Sequence, residues 1–161
     1  MKTQIVKDLE NKKLTVVREF NAPLKDVWDA WTKSELLDLW WAPKPWKAVT
    51  KSLTFKVGGY WLYYMSGPDG SKHWSRNDFL SIDTHKGFMS SNFFCDEHGN
   101  KIADFPGIAK WKNEFRATAT GSKVLVELTF DTEADIKKLV EMGFEGGFTM
   151  ALGNLDELLA K

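Results

Sequence analysis

From Thr132 to Leu159 the apolar residues Ile136, Leu139, Val140, Phe144, Ala151, Leu155, Leu158 and Leu159 recur at spacings of three and four. Thr132, with Asp135 three residues on, supplies a start signal, and the spacing predicts one long amphipathic helix, broken near Gly143 to Gly147. A helix of this kind must bury its apolar face against another element. The segments before it have period two rather than 3.6, so the partner is a sheet.

Those segments follow one another closely. KLTVVREF alternates through Leu14, Val16 and Phe20 and predicts a first strand. The period then changes: Asn21 is a cap candidate, Pro23 suits a first turn, and Val27, Trp28, Ala30 and Trp31 share a helical face. A second short helix is predicted from a Ser34 cap through Leu36, Leu37, Leu39 and Trp40, stopped by Pro43 and Pro45. From Lys47, period two places Val49, Leu53, Phe55 and Val57 on one strand face, with Lys51 an exception, before Gly58 and Gly59 mark a turn or bulge. Strands are expected at Tyr60 to Ser66, His73 to Asp83, Gly87 to Cys95, Lys110 to Thr120 and Lys123 to Phe130, separated by turn chemistry such as GPDG and DEHGN. The class is α+β. One domain is expected over residues 1–161, with 1–11 a loosely ordered leader.

Charge excludes one class of partner. Twenty-two basic and twenty-two acidic residues cancel, leaving no field to condense onto phosphates, so no nucleic-acid partner is expected. The stretch LWWAPKPW, with Trp40, Trp41 and Trp46, looks like a stacking platform, yet only Lys44 and Lys47 stand beside its rings. No apolar run reaches the roughly 18 residues of a membrane span, so no membrane insertion is expected, and a cytoplasmic location is. Cys95 is read as a small buried thiol. His85 and His98 lie in turn-like segments and are expected in solvent, whereas His73 opens a strand beside Trp74 and is a candidate for a cavity mouth. No metal-binding spacing, nucleophile elbow or phosphate loop is present, so neither a cofactor nor a metal is expected. Of the strand polar residues, Arg76, Asp78, Asn92, Asn113 and Glu114 are the candidates for acid or base work, each expected on the solvent face.

The motifs REFNAPLKDVWDAWTKSELLDLWWAP, KVGGYWLYYMSGPDG and MGFEGGFTMALGNLDELL resemble the family related to the C-terminal domain of the activator of Hsp90 ATPase, in its short bacterial form, within the START and Bet v 1 superfamily. The resemblance runs from about Leu14 to Leu159. NDFLSI departs from a common Gly-x-Phe/Tyr-x-x-Ile pattern, with Asn77 at the glycine position. The resemblance implies a helix-grip fold, with a curved seven-stranded antiparallel sheet around the terminal helix and two short helices closing one end. It also implies a cavity between helix and sheet, which superfamily members use for apolar molecules.

The expected function is non-catalytic binding of a small hydrophobic or amphipathic ligand in that cavity. A Hsp90-linked or other interaction module and a cavity-based enzyme are the alternatives. Expected wall residues are Trp40, Trp61, Tyr63, Met65, Phe79, Trp111, Phe115, Phe144 and Phe148, with Trp41 and Trp46 as lid or partner contact. The same rings serve equally as a close-packed core, and both readings stand at this point.

Overall fold

A computed structural model describes residues 3–102 and 106–161. In chain order it contains β1 (Gln4–Asp8), β2 (Lys13–Phe20), α1 (Leu24–Thr32), α2 (Ser34–Trp40), β3 (Lys47–Leu53), β4 (Tyr60–Ser66), β5 (Lys72–Asp83), β6 (Gly87–Cys95), β7 (Ala109–Ala117), β8 (Ser122–Thr129), α3 (Glu133–Glu141) and α4 (Phe144–Leu159). The strands form one antiparallel sheet in the order β1-β2-β8-β7-β6-β5-β4-β3. The described residues thus form eight strands rather than seven. The added one, β1, lies in the segment read as a leader and pairs with β2 from Gln4 opposite Val17 to Asp8 opposite Lys13.

The sheet's concave face carries the core. Leu14, Val16 and Phe20 of β2, Val124, Val126 and Leu128 of β8, and Ala109, Trp111 and Phe115 of β7 are buried on it. Ala151, Leu152 and Leu155 of α4 are buried in the same cluster. Arg18 keeps the inward phase of β2 and is 4 % exposed; its guanidinium pairs with Asp156 of α4 and donates to Thr3 Oγ1 at 3.0 Å and the Glu19 carbonyl at 2.8 Å.

Local chemistry moves several expected boundaries. Neither Asn21 nor Ser34 caps: Pro23 holds the cap position of α1, its carbonyl accepting from Asp26 and Val27, and Ser34 is already helical, with Lys33 at the cap position. Thr132 does cap α3, its hydroxyl accepting from Asp135 N at 3.1 Å. The terminal helix breaks at Gly143, whose φ of +91° is left-handed and favours glycine. In β3 a register shift between Thr50 and Ser52 changes the phase. Ala48, Thr50 and Leu53 therefore oppose Met65, Tyr63 and Trp61, while Val49 and Lys51 turn outward. Val49 does not share a face with Leu53, and Val57, beyond the strand end, is 62 % exposed.

Candidate functional site

The junction after α2 positions the site. Buried Asn154 of α4 donates through Nδ2 to the Ala42 carbonyl at 3.0 Å and to that of Trp40 at 3.4 Å, fixing the LWWAP turn against the helix. Trp40 is fully buried and donates Nε1 to the Ala30 carbonyl at 2.8 Å. Trp41 also turns inward, and its Nε1 donates to Tyr63 Oη at 2.9 Å. Both rings lie against Trp31, at 5.0 and 5.9 Å between centroids. Trp40 is thus part of the buried core, and Trp41 is half-buried with its ring packed against that core. Trp46 sits apart, over Gly67 and 5.3 Å from the His73 ring.

A cavity of about 240 Å³ lies between α3, α4 and the sheet. Its wall includes Trp41, Tyr63, Met65, Trp111, Phe144 and Phe148, with Phe93, Phe94, Phe130, Leu139 and Met142 completing the apolar part. Polar groups are few: His73, Ser75 and Asn92, together with the Tyr63 hydroxyl. Among the described residues no Asp, Glu, Lys or Arg lines it. His73 is exposed at the rim. Burial pushes the Tyr63 phenol up to about 12, against the opposing effect of hydrogen bonds with Trp41 and Ser75.

Behind Trp41 and Trp111 lies a second, inner chamber of about 20 Å³, lined also by Trp31, Leu37, Leu53, Trp61, Asn77, Phe79, Phe88, Ser90 and Asn113. Trp41 and Trp111 border both spaces, their ring centroids 5.8 Å apart. Of the expected wall residues, then, Tyr63, Met65, Trp111, Phe144 and Phe148 line the main cavity, and Trp61 and Phe79 line the inner chamber. Trp40 and Phe115 line neither and belong to the packed core.

The polar residues divide differently from expectation. Arg76 and Asp78 lie outside, paired with each other at 2.7 Å, the Arg76 guanidinium over the Tyr60 ring. Glu114 pairs with Lys112 at 3.4 Å. Asn113, expected in solvent, is instead 2 % exposed on the concave face, and Asn92 faces the cavity. Ser75, Asn77 and Ser90, not anticipated as site residues, join them. Asn77 pairs across the sheet with Asn92, whose Nδ2 donates to Asn77 Oδ1 at 3.1 Å, and Ser90 pairs with Trp111. The result is a diagonal polar stripe over β5, β6 and β7, set among aromatic rings. Ser75 and Asn77 alternate with Trp74, Arg76 and Asp78, so the stripe was visible as a period but not as a side.

Cys95 is 2 % exposed, and burial raises its thiol to about 11, so it is a poor nucleophile near neutrality. His85 and His98 are exposed, His98 3.6 Å from Glu97. No group of three His, Cys, Asp or Glu among the described residues comes together as a metal ion requires. Among the described residues no helix is long and apolar enough to cross a membrane.

A curved antiparallel sheet gripping a C-terminal helix, with an apolar cavity between them, defines a helix-grip protein of the START and Bet v 1 type. Residues 21–160 match the family model for Activator of Hsp90 ATPase homolog 1-like protein, and the chain belongs to that family. Among solved structures it is similar to a protein of Arthrobacter aurescens, at 32 % identity over 98 % of this chain and 91 % of that one with a TM-score of 0.91. A protein of Mycobacterium smegmatis is similar at 26 % identity over 98 % and 96 %, with a TM-score of 0.90. A Silicibacter pomeroyi protein titled with the same family name shares the fold at 16 % identity over 92 % and 97 %, with a TM-score of 0.71. Comparison with curated proteins gives no match.

Proposed function

We propose that this protein binds a small hydrophobic or amphipathic molecule, without transforming it, in the cavity between α3, α4 and the sheet. The observation that carries this reading is the wall itself: about 240 Å³ bounded by aromatic and aliphatic side chains, with a few polar groups to orient an occupant. A volume of this size corresponds to roughly eight water volumes, hence a ligand of about that many heavy atoms. Three features favour holding over catalysis. The Tyr63 proton is tightly held, Cys95 is a poor nucleophile, and no described carboxylate faces the cavity. The inward packing of Trp40 and Trp41 weighs against a chaperone contact built on these rings.

Native mass spectrometry of freshly purified protein, followed by titration with small apolar ligands monitored by tryptophan fluorescence, tests the proposal. A retained mass or saturable quenching is expected, and Phe148→Ala is expected to weaken it at least fivefold. Absence of both signals with every apolar ligand overturns the reading.

A further inference from the structure

Six of the eight indoles belong to the aromatic cluster around the cavity or its flank, and their N–H groups fare unequally. Those of Trp40, Trp41 and Trp61 donate to Ala30 O, Tyr63 Oη and Thr50 Oγ1 at 2.8, 2.9 and 3.0 Å. Those of Trp31 and Trp111 are buried without a partner, as is Asn113 Oδ1. All three of these residues line the inner chamber, and all three are more than nine-tenths buried. Asn113 Nδ2 is engaged with the Phe88 carbonyl at 3.4 Å, which leaves Oδ1 as the free atom of that amide. A buried polar atom left unpaired costs about 1 to 3 kcal/mol, so three around one small space point to something that pairs with them.

Taken with the ligand-binding reading above, on which this rests, we propose that the inner chamber receives the hydroxyl group of a neutral ligand whose apolar body fills the main cavity. The two sets of groups match in kind. A hydroxyl oxygen accepts from two N–H donors with its lone pairs and donates its proton to one acceptor. A carboxylate offers no proton to Asn113 Oδ1, and among the described residues no Lys or Arg lines either space to offset its desolvation. An ammonium cannot accept from the indoles and meets no carboxylate. An ether satisfies the indoles but leaves Asn113 unpaired. The chamber holds about one oxygen atom with its shell, and Trp41 and Trp111, which border both spaces, are the side chains that a ligand occupying both would touch on each side.

Four probes of matched length decide the matter: octan-1-ol, heptyl methyl ether, octanoate and octylamine, titrated at pH 7 by tryptophan fluorescence. Octan-1-ol is expected to bind about tenfold tighter than the ether, the factor of one additional hydrogen bond. Both charged probes are expected to bind at least about a hundredfold more weakly than the alcohol. In ¹H–¹⁵N spectra the alcohol is expected to shift the indole resonances of Trp31 and Trp111, while that of Trp40, which lines neither space, stays in place. Asn113→Leu is expected to retain ether binding and erase the alcohol's advantage. If that variant does not fold, the ranking of probes on the unmodified protein decides alone. Equal binding of alcohol and ether, or tighter binding of octanoate or octylamine, overturns the hydroxyl assignment while leaving ligand binding intact. No binding of any probe overturns both.

Discussion

Two buried polar side chains set the chemistry of the concave face. Tyr63 is raised from 10 to about 12 chiefly because its phenolate would lie among rings without water. The unfolded chain therefore releases this proton first as pH rises, and the folded state binds more protons between pH 10 and 12. The associated stability is full below pH 10 and falls across that window. Two units at about 1.4 kcal/mol each give a loss of about 2 to 3 kcal/mol. Chemical denaturation at pH 9 and 11.5 should show Tyr63→Phe losing less stability with pH than the parent by about 2 kcal/mol, and equal slopes would contradict the assignment. Arg18 is the second case. Its charge is 4 % exposed and rests on Asp156, which is itself 35 % exposed, so Asp156→Ala is expected to cost about 2 to 3 kcal/mol. Pairing that change with Arg18→Met should recover most of the loss in urea unfolding, because no uncompensated charge then remains inside.

The helical break at Gly143 shows what a single backbone position contributes to an element. A Cβ there would meet nothing within 4 Å, so Gly143→Ala carries only the penalty of positive φ, about 1 to 2 kcal/mol. Thr132→Ala at the α3 cap should cost about 1 kcal/mol. Thermal unfolding followed by circular dichroism checks both, and the two losses should add because the sites lie at opposite ends of α3. The elements themselves were largely legible in the sequence. Tyr60–Ser66 and Gly87–Cys95 matched to the residue, and the apolar period of α3 and α4 revealed both the helices and the region of their break. What the period could not reveal was its phase. A bulge after Thr50 turned Val49 outward, and Asn113, Asn77 and Ser90 went inside because their strands pair with neighbours whose inward residues are fixed by the sheet as a whole. The β1 strand was missed for a related reason: QIVKD has one half-buried face at a sheet edge and too little apolar alternation to signal a strand.

At the scale of the molecule, a ligand in the proposed site would bridge α3, α4 and four strands, so its binding should stabilise the assembly as a unit. A ligand at a hundred times its dissociation constant adds about 2.7 kcal/mol, read as a rise in Tm. Amide exchange should slow in β5, β6 and α4 together, and protection confined to one of them would place the ligand elsewhere. The pairing of β2 with β8 bears on how the chain reaches this state. Lys13 opposes Thr129 and Phe20 opposes Ser122, so the β1-β2 hairpin is joined to the rest of the sheet by segments more than a hundred residues apart. During synthesis at the ribosome, Leu14 and Val16 emerge long before Val126 and Leu128, the partners that cover them. Until then the nascent β2 has only the β1 hairpin for company, and its other edge is open to any passing strand. The cell therefore meets this fold first as an incomplete sheet, whose seam between β2 and β8 forms only when the eighth strand has left the exit tunnel.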